Sequence, residues 1–235
     1  MKYFLPAVLG MILLFASPLH AQFPEPPKDE DAGFEQILTR ETFDHWEGDR
    51  DYWRFEDGKL IGEVTEGNLL DENTFFIWKE KVKDFELKVE YRVSAEGNSG
   101  INYRSEKVEG IPHALKGYQA DADGPNRWSG QLYEERGREF LALRGQVTHV
   151  GEDDKPREIG SVGQEEELVA VVNDGWNEYH LVVRGNTLIH MLNGQVMSVA
   201  IDDGESRAKE GWLGVQIHRG PPMKVEFRNF RFKAF

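Results

Sequence analysis

In several short runs of this chain, polar side chains alternate with small or apolar ones, and the polar set they expose is chemically versatile. In Gly117-Tyr118-Gln119-Ala120-Asp121-Ala122-Asp123, a strand that buries Tyr118, Ala120 and Ala122 turns Gln119, Asp121 and Asp123 to its other face. In Gly214-Val215-Gln216-Ile217-His218, burial of Val215 and Ile217 projects Gln216 and His218 together. Gln131 and Tyr133 flank Leu132 in the same way, and Arg104 accompanies Asn102 across Tyr103. If these strands are neighbours in one sheet, its open face carries carboxylate, imidazole, guanidinium, amide and phenol groups. Such a mixture can hold a sugar and move protons. An ordinary solvated sheet face would give the same pattern.

The chain also contains 6 Trp and 7 Tyr. Aromatic faces stack on the C–H faces of pyranose rings, yet large aromatics more often fill cores. Trp46 and Trp53, close to Phe43 and Phe55, read as packing residues. Trp128 stands beside Ser129-Gly130 in a polar segment and is the better stacking candidate.

These groups require strands to position them, and strands are what the rest of the sequence describes. Phe85, Leu87, Val89 and Tyr91 alternate with Glu86, Lys88, Glu90 and Arg92, which puts one face on a core and the other in water. Leu181 and Val183 lead through Gly185-Asn186 to Thr187-Leu188-Ile189-His190, a hairpin pattern. Val225, Phe227, Phe230, Phe232 and Phe235 supply a closing strand. No segment sustains a 3.6-residue period over three turns, so helices are expected to be few and short. The expected fold is all-β, a two-sheet antiparallel sandwich.

The chain opens with Lys2, an apolar run from Leu5 to Phe15 and a small Ala21, the pattern of a cleavable leader over 1–21. Residues 22–32, rich in Pro and acids, read as a flexible linker, and 33–235 as a single domain. With no Cys there is neither a disulfide nor a lipoprotein anchor, and the expectation is a periplasmic or secreted protein with no membrane attachment after cleavage. Loss of the leader removes Lys2 and no acid, taking the net charge from −14 to −15. That acidity repels phosphate backbones and argues against a nucleic-acid partner.

Several of these runs occur in a characteristic order with others. Gly97-Asn98-Ser99-Gly100-Ile101-Asn102-Tyr103-Arg104 is followed by Gly117 to Asp121, Gly130-Gln131-Leu132-Tyr133-Glu134-Glu135 and Arg144-Gly145-Gln146. Then come Asp174-Gly175-Trp176-Asn177-Glu178-Tyr179, Leu192-Asn193-Gly194 and Gly214 to Asn229. Together, over about Gly33 to Phe235, they resemble the 3-keto-disaccharide hydrolase family. The resemblance implies a concanavalin A-like (jelly-roll) β-sandwich. It also implies action on 3-keto-glycosides, as a 1,2-lyase, a hydratase of the resulting 2-hydroxyglucal, or a net hydrolase. Tyr118, Ala120 and Gln131 depart from the residues common at those places in the family, which bears on substrate preference.

The implied partner is an oxidised (3-keto) sugar or glycoside. A ketone at C3 acidifies the C2 proton, so a base forms an enolate and the C1 oxygen leaves by β-elimination, whereas ordinary glycosidases place two carboxylates around an oxocarbenium-like transition state. The matching motifs then make His218 the base, with Asp121 as the alternative base or the group that orients it. Arg104 becomes the enolate stabiliser and Tyr133 the proton donor, while Gln119, Gln216, Asn102, Trp128, Asp123 and Gln131 would hold the sugar. No cofactor is expected. A divalent ion on Asp121, Asp123 and His218 is an alternative source of enolate stabilisation. No compact ligand motif is visible, however, and His113, His149 and His180 stand at no metal-ligand spacing. Glu134 and Glu135 are candidates for an acid, and Glu165-Glu166-Glu167 reads as a solvated loop. Arg144 would brace the site's edge or a turn. The rival class is a non-catalytic glycan-binding sandwich, which needs only an aromatic platform and hydrogen-bonding neighbours.

Overall fold

Alternation sorts the side chains of this chain onto two sheets, and the sorting decides which polar groups meet. The computed structural model describes residues 31–235, so the leader at 1–21 and most of the segment 22–32 lie outside the described residues. Gly33–Phe235 form one compact unit.

One sheet has seven strands, in the spatial order β10 (Glu139–Ala142), β9 (Leu132–Glu135), β8 (Leu115–Asp123), β7 (Asn98–Lys107), β16 (Gly211–Ile217), β5 (Thr74–Val82) and β2 (Trp46–Glu47). The other has ten. Its path runs through β12 (Pro156–Ser161), β11 (Gln146–Val150), β15 (Gln195–Asp202), β14 (Thr187–Leu192), β13 (Asn177–Arg184), β6 (Phe85–Val93), β17 (Met223–Ala234), β4 (Lys59–Val64) and β3 (Trp53–Glu56), and β1 (Glu35–Gln36) pairs with β17. All pairings are antiparallel except β11 with β15, which is parallel. Gly185-Asn186 and Asn193-Gly194 turn the two hairpins of β13, β14 and β15. Helix is confined to a 3-10 turn at Phe43–His45 and α1 (Glu165–Val169) among the described residues, so the acidic run read as a loop in fact opens a one-turn helix. No described helix is long and apolar enough to cross a membrane.

The core fills the space between the sheets. Phe85, Leu87, Val89 and Tyr91 enter it from β6, and Ile101, Tyr103, Tyr118, Ala120 and Ala122 from β7 and β8. Trp46 and Trp53 are packing residues, buried with Phe76 between them. Polar ties cross the core as well. The Tyr118 hydroxyl donates to Asp202 on β15 at 2.5 Å, and Arg138 joins Asp202 to Glu134 at 2.7 Å each. Burial works to raise the Asp202 carboxyl, but the bonds from Arg138 and Tyr118 outweigh it and hold the group below its ordinary range. Glu134 is therefore tied up by Arg138, whose second ion pair, to Asp202, is the one that reaches the opposite sheet.

His190 on β14 is fully enclosed. Its Nδ1 lies 3.2 Å from the Gln131 carbonyl and its Nε2 lies 2.8 Å from the Tyr103 hydroxyl. A carbonyl only accepts, so Nδ1 carries the proton and Nε2 accepts from Tyr103. Burial pushes the imidazole down from 6.5 to about 4. The unfolded chain thus binds the extra proton first, and the stability His190 contributes is complete above pH 6.5 and lost as the pH falls towards 4. That loss is about 3 kcal/mol. His190→Gln should remove this part of the acid slope, as read from denaturant unfolding at pH 7 and pH 4.5. An unchanged slope would contradict the assignment.

Candidate active site

Because Tyr118 reaches the opposite sheet, its neighbours Gln119 and Asp121 face away from the core. Antiparallel register sets Gln119 beside Tyr133 on β9 and beside Asn102 on β7, and it sets Asp121 beside Gly100. The outer face of the seven-stranded sheet carries a cleft of about 220 Å³ lined by Asn98, Gln119, Asp121, Trp128, Tyr133, Glu135, Phe140 and His218. Of the residues expected to act together, His218, Asp121, Tyr133, Gln119 and Trp128 do meet there.

The partners around the lining groups bear on what each can do. His218 Nδ1 lies 2.5 Å from the Arg219 carbonyl, which makes Nδ1 the donor, so in the neutral imidazole Nε2 carries the lone pair. The backbone N–H of His218 donates to Asn98 O at 3.2 Å, tying the end of β16 to the start of β7. Asp121 is 6% exposed. Burial raises its carboxyl well above the usual range, with the charges of Asp123 and Glu135 adding to the effect and the Gln119 amide opposing it. Gln119 Nε2 donates to Asp121 Oδ1 at 2.7 Å and is clamped from the side by Gly100, where an added Cβ would lie 2.6 Å from Gln119 Cγ. Desolvation, together with the charges of Glu135, Glu139 and Asp121, raises the Tyr133 phenol, which keeps its proton at neutral pH.

One wall is aromatic. Trp128, 40% exposed, stacks on Phe140 at 5.4 Å and 27°, and Tyr133 meets Phe140 edge-on at 5.1 Å. Glu135, on the same strand as Tyr133, also lines the cleft and accepts from Asn73 Nδ2 at 3.0 Å. Asn73 Oδ1 also accepts from Arg219 N at 2.9 Å, fixing the chain just after His218. Asn73, Asn98 and Phe140 were not among the sequence candidates. Asn98 lies in a recognised motif, but nothing local marks Asn73, which is a loop residue far from the site in sequence. Glu134 and Glu135 divide by strand alternation, the first to the Arg138 ion pair and the second to the cleft.

The structure moves other candidates elsewhere. Arg104 stands at a break in both β7 pairings, with φ +46°, where simple alternation no longer applies. Its guanidinium is spent on Lys83 O at 2.7 Å, Gly185 O at 2.8 Å and Asp84 Oδ1 at 2.9 Å, so it does not line the cleft and cannot serve as the enolate stabiliser. Asp123 faces the β8–β9 loop. Its carboxylate accepts from the backbone N–H groups of Arg127, Trp128 and Ser129 and from Ser129 Oγ, all at 2.9 Å. It is a loop organiser and not a sugar ligand, and with its oxygens occupied the ion site of Asp121, Asp123 and His218 is not assembled. Arg144 completes this bracing through Ser129 O and Asn126 O at 2.9 and 3.0 Å. Gln131 donates to Arg127 O at 3.1 Å within the same loop.

Asn102 and Gln216 are fully buried and do not reach a sugar. A second apolar cluster of Phe75, Ile77 and Leu115 occupies the adjoining part of this face, and Leu115 overlies Gly214, the register partner of Asn102. Among the described residues no group of three or more His, Cys, Asp or Glu side chains is placed to hold a metal ion.

Comparison with known proteins agrees with this architecture. Residues 33–233 match the family described as "3-keto-alpha-glucoside-1,2-lyase-like domain". A Bacteroides thetaiotaomicron protein named 3-keto-disaccharide hydrolase is 29% identical over an alignment covering 88% of this chain and 80% of the relative. A crystal structure from Parabacteroides distasonis superposes with TM-score 0.57 at 16% identity, covering 86% of this chain and 99% of the other. A Bacillus subtilis protein with a galectin-like fold gives TM-score 0.56 at 13% identity over 86% and 98% of the two chains. These two structures support the β-sandwich fold alone.

The Asp123 hub has a direct test. Asp123→Ala leaves several loop N–H groups without their acceptor and should cost about 2 kcal/mol or more in denaturant unfolding. It should also shift the part of the tryptophan emission that disappears in Trp128→Phe. Unchanged stability and emission would remove Asp123 from the loop's support.

Proposed function

The chain belongs to the family of 3-keto-alpha-glucoside-1,2-lyase-like domains, and on that premise we propose that it cleaves the glycosidic bond of 3-keto-glycosides by elimination across C1 and C2. The observation that carries this reading is the convergence of an imidazole with a free Nε2, a buried carboxyl and a protonated phenol in one cleft beside an aromatic wall. The name of the Bacteroides relative supports the same substrate class and a net hydrolase.

In this mechanism His218 Nε2 takes the C2 proton, and the electron pair moves onto the C3 oxygen as an enolate. The enolate collapses to form the C1–C2 double bond, the C1–O bond breaks, and the departing oxygen takes the Tyr133 phenolic proton. The imidazolium proton then returns to the phenolate, leaving the enzyme unchanged. Asn98, at the edge of the cleft, is the neutral hydrogen-bond donor available to the C3 oxygen in place of Arg104. Asp121, in its ionised form, would take a proton from a water whose oxygen adds at C1 and then deliver that proton to C2, converting the 2-hydroxyglucal to the free 3-keto sugar. Trp128 and Phe140 would stack on a pyranose ring. Export through the leader belongs to this proposal, since a periplasmic or secreted enzyme meets such sugars outside the cytoplasm.

The test is incubation of the protein lacking residues 1–21 with 3-keto-trehalose and a 3-keto-β-glucoside, followed by NMR with and without chelator. Glucal or released sugar is expected. Loss under chelator would add a metal to the mechanism. Binding without turnover would favour a glycan-binding module built on the exposed Trp128 platform. His218→Ala should lower kcat by about 10²- to 10⁴-fold. Arg104→Met should lower the melting temperature yet retain the turnover of the folded fraction. Full activity in His218→Ala, or lost turnover in folded Arg104→Met, would overturn these roles.

A further inference from the structure

A directed chain of amides runs beneath the cleft. Gln216 Nε2 donates to Gln119 Oε1 at 3.0 Å, and Gln119 Nε2 donates to Asp121 Oδ1 at 2.7 Å. Gln216 has no exposed surface, and its backbone carbonyl is held by Ser99 Oγ at 2.6 Å. Its own Oε1 has no hydrogen-bond partner, and neither do the amide atoms of neighbouring Asn102. Gln119 cannot slide sideways because Gly100 abuts it. What the chain can do is reverse by rotating its amides.

Each direction matches one protonation state. An ionised carboxylate only accepts, so it requires Gln119 to present Nε2 and Gln216 to supply Nε2 behind it. A protonated Asp121 can donate to Gln119 Oε1, in which case both amides turn over. We propose that Gln216 is a positioning residue that acts on Asp121 through Gln119, setting the direction of that amide so that Asp121 meets a donor and is held as a proton acceptor beside His218. Other titratable groups also face Asp121. They are Asp123 on its own strand, Glu135 and Tyr133 on β9, and His218 beyond β16, while Gly100 on β7 brings none. None of these touches Gln216 or Gln119 by a hydrogen bond, so a change at Gln216 reaches Asp121 along the amide chain.

This inference rests on the proposed function for the use of Asp121, but its test needs no substrate. The carboxyl-carbon NMR titration of Asp121 is assigned by its loss in Asp121→Asn and followed in Gln216→Glu and Gln216→Met. Gln216→Glu places an acceptor-only carboxylate at the far end of a single amide that can serve only one of the two acids. The Asp121 midpoint should therefore rise by about one pH unit or more. In Gln216→Met the donor behind Gln119 is lost, and the Gln119 side-chain amide protons should lose their protection from exchange. An Asp121 midpoint unmoved in folded Gln216→Glu would overturn the proposal. If that variant does not fold, undiminished protection in Gln216→Met does so. Turnover of 3-keto-glycosides by the wild type is a separate readout, so failure of the relay and failure of the reaction assignment are distinguishable.

Discussion

The site hangs on a single hydroxyl inside the core. Tyr179, on the ten-stranded sheet, donates to the backbone carbonyl of Asp121 and accepts from Gly130 N at 2.7 Å. It therefore fixes the strand that carries Asp121 and the loop that carries Trp128 against the same atom. Ser198 Oγ on Gly130 O at 2.8 Å and His190 on Gln131 O at 3.2 Å extend the attachment along the loop. These are buried polar contacts, which are stabilising only when every partner is present. The two sheets are thus joined by directional bonds as well as apolar burial, and the cleft inherits its geometry from the sheet behind it.

That arrangement accounts for the electrostatics of the cleft. Asp121 stays buried while receiving a single amide donor, and two other carboxylates stand nearby, so its ionised form is disfavoured relative to an exposed Asp. Asp123, two residues further along the same face, has its carboxylate on three N–H groups and a hydroxyl and serves the loop. Two acids at adjacent outward positions of one strand therefore have different work, decided by the donors around each.

Period-two alternation made much of this readable in the sequence. It put Gln119, Asp121, Tyr133 and His218 on a common face, because a strand with one side in the core has no other way to place them. It failed at Arg104, where a bulge and a left-handed backbone redirect the side chain to the junction between β5 and β6. It could not foresee that Asn102 and Gln216, though outward, are fully buried next to the cluster of Phe75, Ile77 and Leu115, since that burial depends on contacts between distant segments. Glu135 and Asn73 illustrate the same gap. The facing of Glu135 follows from register with β8, and Asn73 reaches it across 62 positions of sequence.

In the proposed mechanism the bond to C1 breaks after the C2 proton has left. That order is tested most directly with a 3-keto-glycoside deuterated at C2, by mass-resolved NMR of the product formed in ordinary water, with the released 3-keto sugar incubated alone as a control for exchange. The deuterium should be lost in every turnover. Release of a 3-keto sugar that still carries its C2 deuterium would contradict it and point to direct displacement at C1.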